Sequence, residues 1–157
     1  MGRITSGLIE MIAVLQRASR ASVKVGDKTI GEIKNGMVIL LGVKKGDSKK
    51  DAQDLAQKIS KLRMFNDDKN KMNLSILEVY GSALVISQFT LCADTKKGRR
   101  PSFLNAETPV LSKKLYEYFK TSLTKLGVPV QSGEFGSLMD VDLVNNGPVT
   151  FVLDSHQ

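Results

Sequence analysis

MVILLGVKKGDSKKDAQDLAQKISKL, residues 37–62, carries two hydrophobic patterns in succession. The first seven residues, MVILLGV, are apolar without alternation, which marks a strand covered on both faces. KKGDSKK at 44–50 interrupts the run as a loop. Beyond it Ala52, Leu55, Ala56, Ile59 and Leu62 recur at spacings of three and four, one face of an α-helix, with Asp47 or Ser48 placed to cap it. A doubly covered strand leading into an amphipathic helix predicts a mixed α/β fold.

Upstream, MIAVLQR from Met11 reads as a first strand, and ASVKV (21–25), Gly26-Asp27 and KTIGEI (28–33) read as a hairpin. Asn35-Gly36 is a second turn signal. Downstream, NDDKNK (66–71) is a polar turn and SALVISQF (82–89) a β-rich run. Residues 93–106 have little periodicity and form a loop long enough to be functional. A second helix starts at Thr108-Pro109, buries Leu111, Leu115, Tyr118, Phe119, Ser122 and Leu126, and stops at Gly127. Val128-Pro129-Val130 reads as an edge, Met139–Val144 alternates, and VTFVL (149–153) reads as a final strand. Two main helices cannot cover both faces of so many strands. The expected architecture is therefore a layered α/β/β domain with antiparallel-rich sheets, its far side covered by a second sheet or a partner subunit.

The 157 residues suit a single domain over 11–157, with residues 1–10 as an N-terminal appendage. Met1–Glu10 is polar and lacks the apolar stretch of a secretory leader, and no run approaches the roughly 20 apolar residues of a membrane span. A cytoplasmic protein without a membrane partner is expected. The formal net charge of +7 favours polyanions. One cysteine, Cys92, excludes an intramolecular disulfide, and one histidine, His156 near the end, argues against the usual zinc sites, a Cys-His dyad and a Ser-His-Asp relay. The inventory calls for neither metal nor cofactor. Chemistry is left to hydroxyls, amides, carboxylates, cations, the backbone or the substrate.

Two segments break local rules, and such breaks tend to mark function. At Ser87-Gln88-Phe89-Thr90-Leu91 an apolar strand turns polar. Continued alternation would put Ser87 and Phe89 on one face and Gln88 and Thr90 on the other. A strand that ends here would instead free the N–H groups of Phe89 and Thr90 for an oxyanion; a polar strand tip is the plainer alternative. Asn145-Asn146-Gly147-Pro148-Val149-Thr150 exposes backbone carbonyls at Gly147 and Pro148 with no bulk before them, or is simply a turn between two strands. Lys96, Lys97, Arg99 and Arg100 put four cations on one loop, a phosphate-binding patch or a solvated charge run.

SQFTL at 87–91 followed by NNGPVT at 145–150 resembles the D-aminoacyl-tRNA deacylase family, and the resemblance runs from Met11 to about Asp154. MIAVLQR, LLGVKKGD, DTKKGRRPSF (94–103) and LGVPVQSGEFG (126–136) belong to it, while residues 1–10 precede the family's usual start. The resemblance implies a β-barrel-like homodimer that hydrolyses the ester between a D-amino acid, or glycine, and the 3′-terminal adenosine of tRNA. It implies that Ser87, Gln88, Phe89 and Thr90 line one subunit's pocket. Gly147 and Pro148, joined by a cis peptide, would enter the pocket of the other. Arg17 matches the position that holds the Gly-Pro segment, Met139 matches a pocket position, and Asn145 belongs to the selecting segment. Lys96, Lys97, Arg99 and Arg100 would hold tRNA. A non-catalytic tRNA- or RNA-binding module is the alternative; a DNA partner is not expected.

Overall fold

A computed structural model describes residues 10–156. The appendage expected at 1–10 lies, apart from Glu10, outside the described residues. The strands are β1 (Ile12–Val25), β2 (Lys28–Ile33), β3 (Gly36–Gly42), β4 (Phe65–Asn66), β5 (Met72–Leu74), β6 (Ser82–Ser87), β7 (Val130–Ser132) and β8 (Asp140–Asp154). The helices are α1 (Lys49–Lys61) and α2 (Pro109–Lys125). Neither is long and apolar enough to cross a membrane.

The main sheet runs β2-β1-β3-β6-β7, with β8 paired to β1. β1 is antiparallel to β2, β3 and β8, whereas β3–β6 and β6–β7 are parallel. The far side is covered not by a second sheet but by this one curling on itself. A Cβ on Gly31 of β2 would lie 2.8 Å from the Ser132 carbonyl of β7, so the two ends of the sheet nearly meet. The result is a nearly closed, barrel-like sheet with both helices on one side.

Alternation along the central strands explains the two-sided burial read from MVILLGV. Met37, Ile39 and Leu41 of β3, with Ala83 and Val85 of β6, face the helices and pack with Leu55, Ile59, Leu115 and Phe119. Val38 of β3, with Leu84 and Ile86 of β6, faces inward on Ala18, Ala21, Val23 and Ile33. Ser48 caps α1: it accepts from Asp51 N–H at 3.4 Å, while its own N–H donates to Asp51 Oδ2 at 2.8 Å.

Three elements differ from expectation. The buried face of α2 is Leu115, Tyr116, Phe119 and Leu123; Leu111 is exposed, and Tyr118 and Leu126 are only partly buried. Tyr116 falls outside the expected stripe, yet its hydroxyl donates to the Val85 carbonyl at 2.9 Å and so tolerates burial. The polar turn at 66–71 joins a small β4–β5 hairpin too short to show alternation. The segments Met139–Val144 and Val149–Leu153 form one strand, β8, interrupted rather than ended by the Gly-Pro segment.

Candidate active site

β6 stays in register with β3 as far as Ser87, opposite Leu41. Gln88 N–H then donates to the Leu41 carbonyl at 2.8 Å and the chain tightens into a 3-10 turn over Phe89–Cys92. Leu91 N–H returns to Gln88 O at 3.2 Å and Ala93 N–H to Thr90 O at 3.1 Å. The N–H groups of Phe89 and Thr90, at the open start of this turn, find no acceptor among the described residues. Continued alternation through 90 is thus replaced by a turn, and of the two sequence readings the structure shows the strand that ends.

Ser87, Gln88, Phe89 and Thr90 form one wall of a cavity of about 580 Å³, and Met139 lies on another. Phe103, Glu107, Ser112 and Phe135 also line it, and sequence reasoning does not single them out. Phe103 ends the DTKKGRRPSF block and Phe135 lies in the LGVPVQSGEFG block; Glu107 and Ser112 come from the entry and first turn of α2, where no local signal marks them. Phe103 meets Phe89 edge to face, with ring centroids 4.9 Å apart. Among the described residues the lining contains no Lys, Arg, His or Cys, and Glu107 is its single carboxylate. Both Glu107 oxygens are engaged, accepting from Thr108 N–H at 2.9 Å and Gly46 N–H at 3.4 Å. No hydrogen bond joins Thr90 to Glu107 among the described residues, so no base is positioned on the Thr90 hydroxyl. Cys92 stays outside the lining: burial pushes its thiol up to about 11, and it donates weakly to the Val43 carbonyl at 3.5 Å. Such a thiol is inert at neutral pH.

The second rule-breaking segment is a large bulge. Gln16 pairs with Thr150 and Ala18 with Asn145, so Asn146, Gly147, Pro148 and Val149 stand opposite Arg17 alone. Asn145 pins the base of the bulge, accepting from Val149 N–H at 2.8 Å and donating to Thr150 Oγ1 at 2.9 Å. Arg17 pins its shoulder through Nε, which donates to the Asn146 carbonyl at 2.9 Å. Gly147 and Pro148 are exposed at the tip, and the peptide between them is cis. None of Arg17, Asn145, Gly147 and Pro148 lines the 580 Å³ cavity. One protomer thus holds the two motifs apart.

Lys96, Lys97, Arg99 and Arg100 are exposed on a loop whose stem is the Asp94–Ser102 bridge, with N–H···O distances of 2.7 and 2.8 Å. The next residue past that stem is Phe103, a wall of the cavity. The cations therefore stand beside the cavity without entering it.

A family model described as D-Tyr-tRNA(Tyr) deacylase matches residues 14–154. D-aminoacyl-tRNA deacylase of Thermosipho africanus is 51% identical over 145 residues, 92% of this chain and 97% of the relative. The protein of that name from Bacillus licheniformis is 52% identical over 92% of this chain and 99% of its own. Among solved structures, "c-Myc DNA Unwinding Element Binding Protein" superimposes with a TM-score of 0.86 at 36% identity, covering 90% of this chain and 97% of that one. "Structural Analysis of a probable eukaryotic D-amino acid tRNA deacylase" shares the fold, with a TM-score of 0.79 at 16% identity over 93% of this chain and 100% of that one. The fold and these relatives first define a class: a hydrolase whose substrate is an aminoacylated tRNA. Within it, the chain belongs to the D-aminoacyl-tRNA deacylase family.

Proposed function

We propose that this enzyme proofreads chirality as a homodimer in the cytoplasm, its single domain spanning 11–157. It removes D-amino acids, and glycine, from the 3′ end of tRNA. The observation that carries this reading is the strand end at Ser87, which presents the free N–H groups of Phe89 and Thr90 at the wall of the cavity.

An enzyme that must accept many side chains but one handedness gains nothing from a side-chain pocket. The carbonyls of Gly147 and Pro148 suit the task instead. Entering the cavity of a second copy, they accept hydrogen bonds from the substrate α-ammonium group and leave no room for a side chain in the L orientation. A D side chain points to solvent, and glycine has none to exclude, so both are cleaved. Arg17 and Asn145 hold the tip in position, and Met139 shapes the wall it meets. Separation of tip and cavity within one protomer supports a site completed across a twofold axis.

For hydrolysis, water attacks the ester carbonyl and its oxygen becomes an oxyanion, received by Phe89 N–H with Thr90 N–H. The bond to the ribose oxygen breaks, that oxygen takes the proton lost by water, and the free amino acid and tRNA leave. With no imidazole or lysine lining the cavity, the terminal ribose 2′-OH assists the water, and Ser87, Gln88, Phe89 and Thr90 supply position and electrostatics. Thr90 as a covalent nucleophile is the second mechanism; its exposed hydroxyl on the wall favours it, and the absence of a base counts against it. Lys96, Lys97, Arg99 and Arg100 hold the tRNA backbone; neither membrane nor DNA is a proposed partner.

The decisive experiment compares deacylation of D-Tyr-tRNA and L-Tyr-tRNA by the same preparation. Rapid release from the D form alone is expected. Equal rates would overturn the carbonyl-exclusion reading. Tight tRNA binding with no turnover of either form would favour the non-catalytic RNA-binding module that the basic loop also suits.

A further inference from the structure

Arg17 is a buried cation that no carboxylate answers. The residue is 6% exposed, and none of the ion pairs among the described residues includes it. Its guanidinium has five N–H donors. Nε donates to the Asn146 carbonyl, and Nη1 donates at 3.0 Å both to the Met64 carbonyl and to Asn66 Oδ1. All three acceptors are neutral. Nη2 meets no acceptor among the described residues, and it would stand 3.1 Å from a Cβ on Gly147.

A second cavity of about 180 Å³ is lined by Arg17, Asn35, Phe65, Asn66, Val79 and Asn146. It shares no lining residue with the 580 Å³ cavity. Arg17 is its only charged group among the described residues, and the side-chain amide nitrogens of Asn35, Asn66 and Asn146 make no hydrogen bond to any of them. Donors outnumber acceptors around a fixed positive charge. Its volume is about six waters at about 30 Å³ each, room for a tetrahedral or planar oxyanion and too little for a nucleotide.

We propose that this cavity binds a small oxyanion, a phosphate or carboxylate group, on Arg17 Nη2 with the amides of Asn35, Asn66 and Asn146. A guanidinium fork matches such an anion in charge and in planar geometry. Because the same guanidinium holds the Asn146 carbonyl, an anion here also braces the bulge that carries Gly147 and Pro148.

The test titrates the full chain with inorganic phosphate, following melting temperature and ³¹P line width, with chloride at matched ionic strength as reference. A saturable rise in melting temperature with phosphate, absent with chloride, is expected. Asn35→Asp, at an exposed turn position suited to Asp, places a carboxylate at the rim. It should raise the melting temperature without phosphate and weaken phosphate binding at least tenfold. Asn35→Ala removes one donor and should weaken binding severalfold with little change in the unliganded protein. Equal responses to phosphate and chloride, or undiminished phosphate binding in both variants, would overturn the proposal. Uncharged tRNA added to the phosphate-loaded protein then separates the sources: displacement assigns the anion to the RNA backbone, coexistence to free phosphate.

Discussion

Gly147 has φ +137°, and a Cβ there would lie 2.7 Å from Val149 Cγ2, 2.9 Å from Val149 N and 3.1 Å from Arg17 Nη2. Two of these neighbours belong to the bulge and the third to its brace, so none yields freely. Gly147→Ala should lower stability by about 1–3 kcal/mol and cut kcat/KM for D-Tyr-tRNA. Thermal unfolding beside a kinetic assay checks both, and a variant as stable and active as the parent would show that the tip has slack. Across the site, Thr90→Ala should keep appreciable activity, whereas a substrate ending in 2′-deoxyadenosine should lose it. The reverse pattern in a folded variant would make Thr90 the nucleophile. The motifs behind both predictions are legible in the sequence because each breaks a strand rule. Their surroundings are not. Arg17 bonds Met64 and Asn66, 47 and 49 residues away, and bonds at that range leave no local period.

The connection from β3 to α1 carries a carboxyl that burial pushes up to about 7, against an ordinary 3.8: Asp47. One oxygen accepts from Lys44 N–H at 2.6 Å, and the other is buried with no partner among the described residues. A raised folded-state value means that the folded chain holds the proton more tightly than the unfolded one. The stabilisation is full below about pH 4 and is lost as pH rises through about 7. Asp47→Asn, neutral throughout, should flatten that fall, as melting curves from pH 4 to 8 would reveal; an unchanged slope would place the pH dependence elsewhere. The basic loop makes a different prediction. Replacing Lys96, Lys97, Arg99 and Arg100 with Gln should weaken tRNA binding and reduce the slope of log K against log salt by up to about 3, at roughly 0.7–0.9 for each phosphate no longer neutralised. Identical slopes would leave the loop a solvated charge run. β3, through its unbroken apolar run, and α1, through its helical period, are readable from the chain. β8 is readable only as two separate stretches, because a bulge of four residues against one looks like a turn until its partner strand is seen to continue.

At the scale of the molecule, curling closes most of the sheet, but among the described residues β8 has a strand partner, β1, on one side only. Fifteen residues of open edge, with Val144 and Val152 exposed along it, are a poor end state for an isolated chain. Phe89 on the cavity wall is exposed as well, as are Leu104, Val110, Leu111 and Leu138, each next in sequence to a lining residue. A second copy accounts for both features if it covers the edge and sends its tip into the cavity. That geometry has a consequence that no single-subunit site can imitate. Thr90→Trp fills the cavity but leaves the tip intact; Pro148→Trp makes the tip too bulky but leaves the cavity open. Each variant alone should be inactive, since every site in its homodimer has one defective half. After subunit exchange, half of the dimers are mixed, and in each the open cavity of one subunit faces the intact tip of the other. About one quarter of all sites are then whole, because a twofold interface pairs the same two patches in both directions. Deacylation of D-Tyr-tRNA should return on mixing to about that fraction of the parent activity, with a time course set by subunit exchange. If the mixture stays dead while native mass spectrometry shows mixed dimers, tip and cavity do not meet across the interface, and selection must come from within one chain.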